Sequence, residues 1–276
     1  MFGLEAGGAA AILPLAVVAL SGALAGFLAG LLGVGGGIVI VPALYWVLGE
    51  AGIDGAIRMQ IAVATSLATI VPTSVLSARA HRAKGSLDEA MLKRWIVPGM
   101  IGAALGTLFA ASVDGRLLAG VFGIVALIVA AQMVAFPGGK ILRDGLPGRW
   151  GENAMATSIG GLSAMMGIGG GTLAVPTLTL FAYPIRQAVG TSAGFGLFVA
   201  IPATLGFAAG GWGQPNLPPL SLGYVSLPIA AAVLAAMLPC VGQGAKLAHR
   251  ISQPALRRVF GIVLALVGLR MLSALF

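Results

Sequence analysis

The chain has 276 residues, of which 58% are hydrophobic and only 9% are charged. A soluble domain carries about 25% charged residues, so this chain lacks the charges needed to cover a water-exposed surface. The composition excludes a soluble enzyme, a nucleic-acid-binding protein and a disordered chain, and it predicts an all-α polytopic membrane protein.

Seven uncharged runs locate the predicted membrane spans. The runs cover residues 6–49, 59–78, 95–113, 117–139, 153–185, 187–245 and 259–269. One crossing needs about 20 residues, so the second, third and fourth runs each predict one helix. The run 187–245 predicts two helices, divided at the turn-rich segment 210–219, and the last span covers residues from about 254 to 275.

The runs 6–49 and 153–185 do not fit this scheme. Both are longer than one crossing, and the second is short for two crossings and a turn. Each contains a cluster of glycines, which interrupt helices. Each run therefore predicts a hairpin that is broken at its glycine cluster.

The chain contains an internal repeat. The block Leu32–Pro42 returns as Met166–Pro176, with Gly-x-Gly-Gly-Gly at the same place in both. Thr65-Ser66 returns as Thr191-Ser192, and Val121-Phe122-Gly123-Ile124-Val125 returns unchanged at 259–263. Three blocks in the same order predict two homologous transmembrane halves, 1–136 and 151–276, joined by a polar linker, 137–150.

The basic residues orient these halves. Twelve of the 16 lie in the segments 79–94, 137–152 and 246–258. These three segments, the second of which includes the linker, are therefore predicted to be cytoplasmic. Loops 110–116 and 210–222 hold at most one basic residue and are predicted to be external. Corresponding loops then lie on opposite sides, so the halves are inverted-topology repeats. Each is a hairpin plus three transmembrane helices, about eight spans by hydropathy, with both termini external.

The glycine clusters are the first candidates for a binding site. Non-helical backbone at membrane depth must be buried in protein or line a cavity. A helix that starts at such a break presents free N–H groups and a positive dipole end, which favour an anion. The alternative is close helix packing. The candidate residues in and beside the two clusters are Gly35, Gly36, Gly37, Gly169, Gly170, Gly171 and Thr172.

Paired hydroxyls at the start of a full crossing in each half are the second candidates. Thr65 and Ser66 in the first half, and Thr191 and Ser192 in the second, can donate to the oxygens of an anion. The alternative is a bond back to a carbonyl of the same helix.

Other chemistry is not indicated. No Asp, Glu, Lys or His falls mid-span, which argues against a carboxylate proton relay. No nucleophile–base pair, ATP-binding motif or metal-ligand set is evident, so no enzyme activity, cofactor or metal is predicted. The four tryptophans Trp46, Trp95, Trp150 and Trp212 fall at span ends or in loops and predict an aromatic belt at the membrane interfaces.

The duplicated Gly-x-Gly-Gly-Gly…Pro blocks at 33–42 and 167–176 resemble those of the sulfite exporter TauE/SafE family of membrane transporters. The segments Gly190–Ser192, Leu222–Pro228 and Ala245–Arg250 carry the same resemblance, which covers essentially the whole chain. It implies a permease of the bacterial inner membrane for small anions such as sulfite, sulfonates and related organosulfur acids.

The predicted function is thus a secondary transporter that moves a small oxyanion by alternating access. The alternative is a passive anion channel, which would suit the missing proton relay. An intramembrane enzyme or assembly subunit is a third reading, disfavoured because no catalytic constellation can be assembled. The predicted partners are the small anion and membrane lipid, without nucleic acid, and the oligomeric state is left open.

Overall fold

A computed structural model describes residues 8–32, 36–135, 144–248 and 253–273. Within these ranges the chain forms ten helices and one two-stranded hairpin. The helices are α1 (Gly8–Leu32), α2 (Gly37–Glu50), α3 (Gly55–Ala83), α4 (Glu89–Ser112), α5 (Gly115–Ala135), α6 (Arg149–Met166), α7 (Gly171–Leu180), α8 (Ile185–Gly210), α9 (Leu227–Ala248) and α10 (Gln253–Ser273). The strands are β1 (Ser221–Leu222) and β2 (Val225–Ser226), paired antiparallel.

Aspartates begin two of the long helices. The Asp54 carboxylate accepts a bond from the Ala56 amide at 2.9 Å before α3, and the Asp88 carboxylate accepts one from the Met91 amide at 3.0 Å before α4. These caps satisfy amides that have no partner within their own helix. Several helices contain an internal proline, which membrane helices tolerate because neighbouring groups satisfy the freed carbonyl.

Four of the described helices are long and apolar enough to cross a membrane. They are α3, α4, the Gly115–Val134 part of α5, and α8. Large apolar side chains on the outer faces of these helices are exposed, among them Val97, Ile101, Leu105, Ile124 and Ile128. Such faces suit lipid, so the predicted fold class, an all-α membrane protein, is confirmed. The count of eight spans stays a prediction.

The connections between helices are shorter than predicted. Helix α3 continues to Ala83 and α4 begins at Glu89, so most of the predicted loop 79–94 is helical. The predicted loop 246–258 likewise includes the end of α9 and the start of α10. The prediction placed boundaries at charged residues, but charged side chains at helix ends extend to the interface without ending the helix.

Helices of the first half pack mainly on helices of the second. Helix α1 packs on α9, α4 on α6, α5 on α10, and α3 on α8. Glycines allow the closest approaches: a Cβ at Gly26 would overlap the Met237 carbonyl, and a Cβ at Gly160 would overlap the Gly99 carbonyl. Backbones in direct contact are typical of helix pairs inside membranes. The buried centre lies along α3 and α8.

Candidate functional site

The two glycine clusters contact each other in the interior. A Cβ added to Gly37, the first residue of α2, would overlap the Gly167 carbonyl oxygen and lie 2.8 Å from the Ile168 Cα. The break that ends α6 therefore lies directly against the start of α2. Gly36 packs on Ala25 of α1, whereas Gly35 lies outside the described residues.

Positive backbone angles explain why the second break is built from glycine. Gly167, Gly169 and Gly170 have φ of +69°, +61° and +77°, a region that other residues rarely adopt. The Gly171 amide donates to the Gly169 carbonyl at 2.9 Å, and α7 begins there. Four residues thus separate α6 from α7, and the glycines among them contact Val41 of α2, Ile70 of α3 and Phe195 of α8.

The predicted hydroxyl pairs lie in the interior, and one of their members contacts the second glycine cluster. Thr65, Ser66, Thr191 and Ser192 are all buried, as is Thr172 in the first turn of α7. The Ser66 hydroxyl donates to the Gly167 carbonyl at 2.8 Å, which ties α3 to the second glycine cluster. Ser66 therefore uses its proton to hold the break in place in this conformation.

The two threonines hold loops of the opposite half. The Thr191 hydroxyl of α8 accepts a bond from the Asp88 amide at 3.0 Å, just before α4. The Thr65 hydroxyl of α3 accepts one from the Ser226 amide at 3.1 Å, just before α9. Both bonds cross between halves, unlike the same-helix bonds considered as the alternative.

Ser192 differs from its repeat partner Ser66. Its hydroxyl oxygen is completely buried on α8 and has no hydrogen-bond partner, as far as the described part of the chain extends. A buried hydroxyl without a partner costs about 1–3 kcal/mol. Such a group requires an explanation in function or in conformation.

Comparison with known proteins decides the family. The family model for "Sulfite exporter TauE/SafE" matches residues 18–271. The chain belongs to the TauE/SafE family. Residues 18–271 include both glycine clusters and both hydroxyl pairs, so the resemblance given by the motifs is confirmed.

Relatives across bacteria and archaea share nearly the full length of this TauE/SafE chain. A Haemophilus influenzae protein is 34% identical over 257 residues, covering 91% of this chain and 96% of its own. A Methanocaldococcus jannaschii protein is 27% identical over 268 residues, covering 95% of this chain and 96% of its own. A Xylella fastidiosa protein is 31% identical over 258 residues, covering 90% of this chain and 91% of its own. All three are named probable membrane transporter proteins. With its apolar helices, this TauE/SafE protein is a multi-pass membrane transporter.

A polar network that the sequence analysis missed joins the two halves near Thr191. The Tyr183 hydroxyl, between α7 and α8, donates to the Asp88 carboxylate at 2.5 Å. Arg94 of α4 lies 3.6 Å from the buried carboxylate of Glu152 on α6. Asp88 is a preferred N-cap residue directly before the segment that forms α4, but its distant partner Tyr183 has no local signal.

The network fixes the charge of its members. Partial burial raises the pKa of Asp88, but bonds from Tyr183 and from the Met91 and Ala90 amides, together with nearby Arg94, outweigh it and hold that pKa below its usual value. Burial, followed by the bond to the Asp88 carboxylate, raises the pKa of Tyr183 far above its usual value. Asp88 is therefore ionised and Tyr183 neutral at neutral pH.

The aromatic-belt prediction is wrong for Trp95. Trp150 and Trp212 are 90% and 73% exposed, as a belt requires, but Trp95 is only 1% exposed. Its indole ring packs edge-to-face on Phe195 of α8, with ring centroids 5.3 Å apart. Trp95 lies six residues into α4, so its position in the sequence suggested a membrane interface, whereas α4 places it against α6 and α8.

Proposed function

We propose that this TauE/SafE protein is a secondary transporter of the bacterial inner membrane that moves a small oxyanion, such as sulfite, a sulfonate or a related organosulfur anion, by alternating access. The observation that carries the proposal is the contact of Gly37 with Gly167 and Ile168. It places the start of α2 against the break between α6 and α7 in the interior.

The helix starts supply the attraction for an anion. The first amides of an α-helix have no partner within the helix, and the dipole is positive at that end. We assign the site to Gly35–Gly37, Gly169–Gly171 and Thr172, with Thr65, Ser66, Thr191 and Ser192 at its edges. Hydrogen bonds to an anion are charge-assisted, so several of them offset the loss of its water without a buried Lys or Arg.

The halves, 1–136 and 151–276, are the moving bodies in this proposal, and the linker 137–150 joins them. Matching contacts support an inverted repeat. Thr65 accepts from the residue before α9, and Thr191 from the residue before α4. Gly26 packs on α9 as Gly160 packs on α4.

The two threonine bonds act as opposite gates. The charge pattern predicts that Asp88 lies toward the cytoplasm and Ser226 toward the outside. A transporter that opens to one side at a time must break one of these bonds and keep the other. The predicted external position of both termini falls on residues outside the described ranges and stays part of the proposal.

Flux into proteoliposomes tests the proposal. Radiolabelled sulfite and a radiolabelled alkyl sulfonate should enter with saturating kinetics, and unlabelled anion inside the vesicles should accelerate uptake of the label. Gly37→Ala should abolish this flux, because the added methyl overlaps the Gly167 carbonyl. Gly148→Ala is the matched control, since its Cβ would meet nothing within 4 Å. Non-saturating flux without counterflow would instead identify an anion channel.

Thermal stability measures binding directly. A ligand at 100 times its Kd stabilises the folded protein by about 2.7 kcal/mol. Sulfite, sulfate, thiosulfate and sulfonates should be compared on purified protein. If none of them raises the unfolding temperature or crosses the vesicle membrane, the oxyanion proposal is wrong.

A further inference from the structure

The indole N–H of Trp95 is a buried donor that the proposed site does not use. The nitrogen is completely buried and, within the described residues, has no hydrogen-bond acceptor. The whole side chain is 1% exposed. An indole N–H can only donate a hydrogen bond, and a buried tryptophan usually has an acceptor for it.

The surroundings of Trp95 connect it to the second glycine cluster. Its ring lies against Phe195 at an interplanar angle of 74°. Phe195 also contacts the cluster: a Cβ at Gly170 would lie 2.9 Å from Phe195 Cδ1. Phe195 therefore contacts both the Trp95 indole and the backbone that begins α7.

A second unpartnered donor lies beside the same ring. Ser192 precedes Phe195 by three residues on α8, so the two side chains are neighbours on one helix face. The Ser192 hydroxyl is buried without a partner, like the Trp95 indole. Two buried donors from α4 and α8 thus flank the residue that packs on Gly170.

We propose that the Trp95 indole N–H is a further substrate-binding group, which acts with the Ser192 hydroxyl to hold an oxyanion on the Phe195 side of the second glycine cluster. This inference rests on the proposed anion transport. The donors come from different halves of the chain, and the ligand they fit is an anion with at least two accepting oxygens, such as sulfite or a sulfonate.

The second half has no equivalent of the Trp95 donor. Gly160 of α6 packs on the Gly99 carbonyl, and Gly26 of α1 packs on the Met237 carbonyl. Four residues before Gly99 is Trp95, and four residues before Met237 is Val233. Valine cannot donate a side-chain hydrogen bond. In this proposal the donor is therefore present at only one of the two matching positions, although the helix contacts occur in both halves.

Two conservative variants test the assignment. Trp95→Phe keeps a ring against Phe195 and removes the N–H, and Ser192→Ala removes one hydroxyl. Each should weaken sulfite binding to the purified, detergent-solubilised protein about tenfold, as expected for about 1.4 kcal/mol. Ser192→Ala should not lower the unfolding temperature of the unliganded protein, because it removes a donor that has no partner among the described residues. Trp95→Phe also leaves space at a fully buried position, so its effect is judged from the Kd for sulfite.

Matched controls come from the same chain. Trp150→Phe makes the same chemical change at a tryptophan that is 90% exposed. Thr204→Val removes another buried, unpartnered hydroxyl from α8, 12 residues beyond Ser192, which is about 18 Å along the helix. Both controls should bind sulfite with the wild-type Kd.

A spectroscopic measurement keeps the assignment testable if Trp95→Phe does not fold. The chain has four tryptophans, so protein labelled with ¹⁵N-tryptophan gives four indole N–H signals. Phenylalanine variants of the other three assign the Trp95 signal by elimination. Added sulfite should shift the Trp95 signal with the same Kd as the thermal measurement.

The outcomes separate this inference from the function on which it rests. A Trp95→Phe protein that is less stable but binds sulfite normally shows a structural role and overturns the assignment. An unmoved Trp95 indole signal in wild-type protein that binds sulfite overturns it as well. If wild-type protein binds no sulfur oxyanion, both the transport proposal and this inference are wrong.

Discussion

At the scale of single residues, Tyr183 and Asp88 join the two halves through one short hydrogen bond. We expect Tyr183→Phe to lower the free energy of unfolding by about 1 kcal/mol at neutral pH. This is below the roughly 1.5–3 kcal/mol usual for a hydrogen bond to a charged group, because Asp88 and Tyr183 are both partly exposed. Thermal unfolding of the solubilised protein measures this difference.

The effect of Tyr183→Phe should depend on pH in a defined direction. The bond lowers the pKa of Asp88 in the folded protein, so its contribution is complete above the unfolded pKa, near 3.9. It is lost as the pH falls through the lower folded pKa. The difference between variant and wild type should therefore shrink below about pH 4. Tyr224→Phe is the control for loss of a hydroxyl from a buried tyrosine. A difference between Tyr183→Phe and wild type that is independent of pH would contradict the assignment.

Residue identity predicted candidate groups better than it predicted their partners. Thr65, Ser66, Thr191 and Ser192 were identified from their place in the repeat, and all four are buried. That Ser66 bonds to Gly167, 101 residues away, follows from tertiary packing that no local pattern encodes. The wrong prediction for Trp95 has the same cause. Whether Trp95 is buried depends on the helices that α4 packs against, and no local pattern encodes that packing.

At the scale of helices, α4 and α6 are in contact along their backbones. A Cβ at Gly160 would overlap the Gly99 carbonyl oxygen, whereas a Cβ at Gly161 would lie 3.2 Å from the Gly102 carbonyl oxygen. We expect Gly160→Ala to destabilise the protein by about 1–3 kcal/mol, because backbone cannot move aside as a side chain can. Gly161→Ala should be nearly neutral, because the small shift it needs is offset by the better helix propensity of alanine.

The two variants differ by one position on the same helix, so they control for each other. Unfolding temperatures in one detergent, with fluorescence-detected size-exclusion profiles, measure the effect. Equal stability of the two proteins would mean that α4 and α6 are not packed as described.

The glycine breaks were predictable elements, and the small hairpin was not. Runs of three glycines between apolar segments predict a break, and α6 does end at Gly167. Strands β1 and β2 have only two residues each, too few for a periodic pattern. They form because Gly223, at φ +55°, packs on the Ala208 carbonyl at the end of α8.

At the scale of the whole molecule, the proposed inverted repeat predicts that two loops are exposed on opposite sides of the membrane. Single cysteines at Lys84 and Gln214, in a Cys240→Ala background, should react with a membrane-impermeant maleimide from opposite sides of the membrane. Both side chains are exposed, and neither has the positive φ of the adjacent Gly85 and Gly213. Intact cells should label Gln214→Cys and inside-out vesicles Lys84→Cys. Labelling of both from one side would contradict the inverted repeat.

The pairing of α1 with α9 also sets an order of events during synthesis. Helix α1 ends at Leu32 and α9 begins at Leu227, so roughly 200 residues must be translated between them. At about 5–20 residues per second, the ribosome takes roughly 10–40 s to supply the partner. Throughout that time the Gly22 and Gly26 surface of α1, shaped to fit another backbone, faces lipid or the insertion machinery. A nascent chain that stalls before α9 therefore reaches the bilayer with its oldest helix unpaired, as a substrate for membrane proteases.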